Sequence, residues 1–545
     1  MTRLPLFLLR IFSAFLLLTA LPLAAQTDAV APSNAAPAVV APPVDTNMAV
    51  PGATAQAAAA ETNAVPVAPA PVPQLSAAPA VAPLRSLPPD WSILGHLLAF
   101  GAVAGLVAWF CGLTRARNCG HTCTLLLAGV MFALVGYWVG GFAMQSGGMG
   151  DAHAALPSPP RAAAVSGLDH ELGFMAGGHH WGLMGSAGFF LSADADSRAP
   201  MTALFFGQMV FLALAVTASL GAALERARIL AVAIISFLAG ALLFPLVANW
   251  VWGGGWLAAL GREFGLGHGV VDLAGAGVNH LAAGTLALVL AIQLGPRFGR
   301  FGRHPMPIPG HNLPLAILGS VVVLIGLATL NAVSYPGAPG GDSPAGLAAA
   351  NTLLGAAGGL VAAFVFVLYH GRKLDPVAIC RGMLGGAVSA TAAGALVESW
   401  AAVVTGAIAG VLVQWTIRLL ERRQIDDPVG VVAVHGAGGA WGLVALGLFA
   451  NDANGGAING VSGPVRGLLT AHDGRQLLAQ IIGAVVIAGV VFALGSVFVI
   501  LTHKIVGIRV GLADEQAGLD EPKLGVLGYQ GDAVVEAEEP PVGSV

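Results

Sequence analysis

Asp272-Leu-Ala-Gly-Ala-Gly-Val-Asn-His280 and Asp427-Pro-Val-Gly-Val-Val-Ala-Val-His435 are one phrase written twice, D-x-x-G-x-x-x-x-H, and each opens a long apolar segment. A histidine inside a hydrocarbon-spanning helix is costly to hold and marks a path for protons or small polar solutes. Its ring carries two distinct nitrogens, so two imidazoles in contact can take up a proton at one end and release it at the other. The aspartates suit a different role. A carboxylate at a helix start accepts N–H groups that have no partner in the helix, so Asp272 and Asp427 read as structural caps. Other ligand-type clusters are weaker. Cys119-Gly-His121-Thr-Cys123 fits no zinc spacing, and Asp169-His170-Glu171 with His179-His180-Trp181 reads as solvated loop. No metal site, cofactor or catalytic residue is assigned, and Cys111, Cys119, Cys123 and Cys380 make no disulfide framework.

The elements that position these histidines are membrane helices. Of 545 residues, 56% are hydrophobic, 10% are charged and 75 are glycine. The mean hydropathy is +0.80. That composition excludes a soluble globular domain, and a net charge of −4 gives no basic footprint for nucleic acid. Apolar runs of roughly 20 residues, enough to cross a ~30 Å core, recur near 92–113, 120–146, 200–223, 229–250, 272–294, 312–334, 346–369, 376–395, 397–418, 428–450 and 477–502. Ahead of them, Arg3 and Arg10 flank a short apolar run that reads as a signal peptide over 1–25. Residues 26–90, rich in Ala, Pro and Val, read as a disordered linker, 91–503 as the membrane domain and 504–545 as a tail.

Signal removal leaves the N-terminus outside, and eleven spans then leave the C-terminus in the cytoplasm. Most basic residues agree: Arg115, Arg117, Arg226, Arg228, Arg297, Arg300, Arg303, Arg372, Lys373, Arg418, Arg422, Arg423, Lys504 and Arg509 fall in loops assigned to the inside, against Arg198, Arg262, Arg466 and Arg475 on the other side. Asp272 then starts the fifth span at its outer end and Asp427 the tenth at its inner end. The phrases run in opposite directions, as in an inverted repeat of five plus five spans with one added helix. Eight residues at about 1.5 Å each carry either histidine ~12 Å below its own face, so the two depths differ by only about 6 Å. The expected fold class is an all-α polytopic membrane protein with both histidines near the midplane.

These residues resemble the ammonium transporter (Amt/Mep/Rh) family, Amt branch. Asp426-Asp-Pro-Val-Gly-Val-Val-Ala-Val-His435-Gly-Ala-Gly-Gly-Ala-Trp-Gly is similar to its tenth-helix motif and Asp272 to His280 to its fifth. Leu113-Thr-Arg-Ala-Arg-Asn118, Ala222-Ala-Leu-Glu-Arg-Ala-Arg228, Trp252-Gly-Gly-Gly-Trp256 and His311-Asn-Leu-Pro314 follow in family order. The resemblance implies a multi-pass protein of the plasma (inner) membrane, a homotrimer in the lipid bilayer, that takes ammonium or ammonia and is not an enzyme. It implies that His280 and His435 line a pore, and that Trp252, Ser334 and Phe211 form an outer recruiting site and gate. A stripped cation is attracted to indole and phenyl faces by roughly 1–2 kcal/mol, and a hydroxyl accepts one of its N–H bonds. It also implies that the tail, from Ile508 through Gly518-Leu-Asp520 to Tyr529, couples to a PII-type signalling protein. This chain departs from the family at Leu330, where a second gate phenylalanine is usual, and at Leu273, Ala276 and Asn279 of the fifth-helix motif. Two other functions share the same residues: an ammonium sensor with little transport, and a Rh-like gas pore that moves no charge.

Overall fold

The computed structural model describes residues 89–149, 167–306, 308–334, 344–370, 373–451 and 458–529. The signal peptide and the linker up to residue 88 lie outside the described residues, as does the tail beyond 529. Among the described residues ten helices are long and apolar enough to cross a bilayer: α1 (Ser92–Leu113), α2 (Ala116–Ser146), α3 (Arg198–Ala223), α4 (Ile229–Phe264), α5 (Ala276–Leu294), α6 (Leu313–Val333), α7 (Ala345–Tyr369), α9 (Ser399–Arg422), α10 (Val432–Phe449) and α11 (Arg475–Val506). The expected eighth span differs. Its helix, α8 (Pro376–Ser389), has 14 residues, short of a bilayer-crossing length. It ends where Ser389 and Thr391 turn their hydroxyls back to the carbonyls of Gly386 and Val388, at 2.9 and 2.7 Å, and a 3-10 turn at Gly394–Leu396 completes the passage. The last helix runs to Val506, past the expected domain edge at 503.

Lipid tails are as apolar as leucine, so helices in a bilayer associate through small residues that let backbones approach. The pairing that results repeats. Helix α1 lies on α6, α2 on α4, and α7 on α9. Gly105 and Gly319 make the first contact reciprocal: a Cβ on either would sit 2.7 Å from Val323 N or 2.4 Å from Trp109 N. The third members match as well, since α3 closes with a 3-10 turn at Gly221–Ala223 and α8 is followed by one at Gly394–Leu396.

The loops gather on two faces. On one, Glu225 is completely buried and accepts from Arg115 Nε at 2.8 Å, from Asn118 Nδ2 at 2.6 Å and from Arg297. Arg297 also donates to Asp426 through Nε at 2.8 Å and Nη2 at 3.0 Å, and Arg226 Nη2 donates to the Asp426 carbonyl at 2.8 Å. Burial alone would push Glu225 up, but Arg297 and Arg115 bring its carboxyl down to about 2. The same contest, won by Arg297 and Arg226, sets Asp426 at about 2. The tail, with short helices α12 (Leu512–Ala517) and α13 (Asp520–Leu524), docks on this face. Arg509 binds the carbonyls of Leu294 and Pro296, and Asp520 accepts the amides of Gly120 and His121 at 3.0 and 2.8 Å.

The opposite face carries the one sheet among the described residues, an antiparallel hairpin of β1 (Glu171–Ala176) and β2 (His179–Gly185) with an irregularity at Leu172/Gly173. The sequence reading of this stretch as solvated loop is corrected in part. Trp250 Nε1 donates to Leu183 O at 2.9 Å, and Trp181 packs on Trp256 and Phe264. Its histidines pair singly, His179 with Glu263 and His180 with Glu171, each at 3.5 Å.

Candidate pore site

The two phrases fold into the same local object. In the first, the Asp272 carboxylate accepts four successive amides, Gly275 and Ala276 on Oδ1 and Gly277 and Val278 on Oδ2, at 2.7–3.1 Å. In the second, Asp427 accepts from Gly430, Val431 and Val432 at 2.8–3.1 Å. The chain passes each carboxylate through a left-handed glycine, Gly275 at φ 95° and Gly430 at φ 86°, which is why glycine stands three residues after each aspartate. Both then enter π-helical turns, Ala276–Leu281 and Val432–Ala437, that carry the histidines. A π-turn holds one residue more than an α-turn, so it re-aims the side chain it contains.

Helices α5 and α10 cross at these turns on a reciprocal pair of glycines. A Cβ on Gly284, four residues after His280, would lie 2.1 Å from Gly436 N; one on Gly439, four after His435, would lie 2.3 Å from Ala276 O and 2.6 Å from Leu281 N. Position +4 of each phrase therefore rests on position +1 of the other. This contact brings the rings together: His435 Nδ1 and His280 Nδ1 are 2.9 Å apart, with ring centroids 5.0 Å apart and planes 32° apart. Both histidines are buried, and His280 Nε2 has no protein partner. Since one Nδ1 must donate and the other accept, the two rings hold opposite tautomers.

The aromatic residues sit at the Asp272 end. Phe211 meets Trp252 edge-on at 5.0 Å, and Phe244 meets it at 6.5 Å. Trp252 Nε1 donates to the Asp272 carbonyl at 2.5 Å, which ties the indole to the head of the fifth-span phrase. Ser334 and Leu330 are joined to each other rather than to this cluster: Ser334 Oγ donates to Leu330 O at 2.8 Å at the end of α6, and Leu330 is buried. Neither hydrogen-bonds or ring-stacks with Trp252 or Phe211.

Sequence reasoning missed three features here. The π-turns leave no local signal beyond their glycines. A polar relay of Tyr137 Oη to Gln145 Oε1 at 2.8 Å and Gln145 Nε2 to Gln208 Oε1 at 2.7 Å lies beside the aromatic cluster, with Tyr137 stacked on Phe205 at 5.4 Å. The reading of the cysteines also needs correction: Cys111 and Cys119 are joined, because a short turn brings the end of α1 and the start of α2 to a Cα separation of 5.5 Å.

With this geometry in hand, the relatives are informative. The model of the Ammonium Transporter Family matches residues 91–529. "Ammonium transporter Amt2" of Archaeoglobus fulgidus is 32% identical over 463 residues, 83% of this chain and 91% of that protein. "Ammonium transporter 1 member 4" of Arabidopsis thaliana is 34% identical over 348 residues, 60% of this chain and 68% of its own. Among solved structures, one titled "Sensor Amt Protein" superposes with a TM-score of 0.66 at 26% identity, covering 80% of this chain and 98% of that one. Mep2 of Candida albicans shares the fold, with a TM-score of 0.62 at 24% identity over 78% of this chain and 86% of its own. The chain belongs to the ammonium transporter family, multi-pass membrane transporters rather than enzymes.

Proposed function

We propose that this chain recruits ammonium at Trp252, Phe211 and Ser334, deprotonates it at the entrance and conducts ammonia past His280 and His435. The observation that carries this reading is the 2.9 Å contact between the two Nδ1 atoms in a buried setting. A dry, apolar passage strongly penalises a full charge, so ammonium sheds its proton before entering while neutral ammonia passes. Potassium, of similar size, cannot donate a hydrogen bond or lose a proton. His280 Nε2, unpartnered in the protein, meets the permeant. The shed proton has a route of its own: it binds one Nε2, the shared Nδ1 hydrogen shifts to the other ring, and the second Nε2 releases a proton. Each transfer leaves the tautomers reversed, and reorganisation of the rings resets them for the next proton.

By the same reading the protein lies in the plasma membrane with its tail face toward the cytoplasm. It works as a homotrimer, and the docked tail is the element offered to a PII-type regulator. Exposed apolar side chains on the outside of the helices, such as Leu127, Met131, Leu318, Val321, Val361 and Val365, suit lipid or a neighbouring subunit.

Ammonium-evoked current from reconstituted protein on a solid-supported membrane tests the reading. The wild type gives current with ammonium and little with potassium, and His280→Ala, His435→Ala and Trp252→Leu each lower it at least tenfold. Absence of both current and ammonia flux in the wild type removes transport, and flux without current replaces the relay with a gas pore.

A further inference from the structure

On the tail face, Cys111 and Cys119 are accompanied by His311, and one ligand atom from each lies within 4.8 Å of the others. The three come from the end of α1, the start of α2 and the turn before α6, so no sequence spacing reveals them. The cysteines are buried and His311 is half-buried. We propose that, with the cysteines reduced, Cys111, Cys119 and His311 form a binding site for a thiophilic d10 cation, with Cu+ the best fit.

His311 is held as a ligand would be. Its backbone N–H donates to Thr114 O at 3.0 Å, and its Nδ1 lies 2.8 Å from the same oxygen. A carbonyl can only accept, so Nδ1 carries the hydrogen and the Nε2 lone pair is the available one; a ring fixed in this way by a backbone carbonyl is the usual outer-shell arrangement of metal-bound histidine. That lone pair now receives the Tyr529 hydroxyl at 2.9 Å, with the phenol ring 5.0 Å from the imidazole. Tyr529 is thus a displaceable cap that the tail supplies. Two soft sulfurs and one imidazole satisfy trigonal Cu+ without a fourth ligand, whereas Zn2+ needs one more.

In this structure the two sulfurs are bonded to each other. Reduction by a dithiol adds two electrons and two protons, opens the pair and oxidises the reductant to its disulfide; Cu+ then displaces the thiol protons. On the orientation proposed above, the site faces a compartment that keeps thiols reduced. Metal at Nε2 and the Tyr529 contact exclude each other, so loading the site releases the end of the docked tail.

The test uses the full chain in detergent with Cys123→Ser and Cys380→Ser, so that the only thiols are those of the site. Reduced, desalted protein is titrated anaerobically with Cu+ and, in a second arm, with Zn2+. Metal per chain and the ultraviolet thiolate-to-metal charge-transfer band are read. One Cu+ per chain is expected, with zinc at least tenfold weaker. Cys119→Ser abolishes binding, His311→Gln weakens it at least tenfold, and Tyr529→Phe tightens it a few-fold. Oxidised protein of the same background controls for variants that fail to fold, and it binds none. The proposal is overturned if reduced protein holds no more Cu+ than oxidised protein, or if loss of Cys119 leaves one Cu+ per chain.

Discussion

The two D-x-x-G-x-x-x-x-H turns share a backbone and differ in what surrounds it. The Asp272 turn is buried throughout, holds four amides and lends its carbonyl to Trp252; the Asp427 turn holds three buried amides from a carboxylate that is itself half-buried. Beside Asp427, its neighbour Asp426 belongs to the charged cluster with Arg297, Arg226 and Glu225. What the copies keep in common is what aims a histidine at the centre: a carboxylate, a left-handed glycine and a π-turn. What they do not share is their surroundings, aromatic beside Asp272 and ionic beside Asp427.

The largest effect should come from removing the carboxylates. Asp272→Ala strips partners from four buried amides, at about 1–3 kcal/mol each, so a loss on the order of 4 kcal/mol or more is expected. Thermal melting of the detergent-solubilised protein should show little folded material for Asp272→Ala and a smaller drop for Asp427→Ala, which holds three amides from a half-buried position. Equal losses would mean that the environment around the turns does not matter.

The ionic cluster comes next. Arg297→Met leaves Glu225 and Asp426 without their shared counter-charge, and breaking a buried pair this way costs about 3–5 kcal/mol. The pH dependence follows from the carboxylates. Glu225 and Asp426 sit at about 2 in the folded protein, below their ordinary values of 4.5 and 3.8. A depressed folded value means that their contribution is complete above pH ~5 and is lost as pH falls through ~4 toward 2. Melting temperature measured from pH 7 to pH 3 should therefore fall less steeply in Glu225→Gln than in the wild type. No such difference should appear between pH 6 and 9.

A subtler break tests the symmetry itself. Gly284→Ala and Gly439→Ala each drive a methyl into backbone of the partner helix, at 2.1 and 2.3 Å. Overpacking of this kind costs about 1–3 kcal/mol, and the two losses should agree within ~0.5 kcal/mol. Both should also lower ammonium current by separating the histidine rings. A loss confined to one variant would show that only one half sets the crossing.

Much of this architecture was legible in advance because membrane helices declare themselves by length and hydropathy, and because the aspartate, glycine and histidine of each turn are fixed by backbone chemistry. The apolar runs anticipated ten long helices within four residues at every end but one, since α4 reaches Phe264 where 250 was expected, and the doubled phrase anticipated the two histidines meeting. Three things were not legible. Helix α8 stops at Ser389 because side-chain hydroxyls compete for carbonyls, which hydropathy does not register. The hairpin at 171–185 is stabilised by tryptophans on α4, far away in sequence. Cys111 and Cys119 lie in separate spans, and only the tight turn between them, with His311 arriving from the turn before α6, makes them a cluster.

The smallest expected effect sits at the position just before each histidine, where one turn carries a polar side chain and the other an apolar one. Residue 279 is Asn, and its counterpart in the second phrase is Val434. Asn279 is completely buried, and neither its amide oxygen nor its nitrogen has a protein partner. Unpaired buried polar groups cost about 1–3 kcal/mol, whereas Val434 shows that a β-branched apolar side chain fits the same π-turn. Asn279→Val should therefore stabilise the protein by about 1 kcal/mol, a rise of a few degrees in melting temperature. Ammonium current should stay within about twofold of the wild type, because the His280 and His435 contact does not involve the amide. A higher melting temperature accompanied by a large drop in current would give Asn279 a place in the conduction path. The two turns would then differ by function beside the histidines themselves and not only in their surroundings.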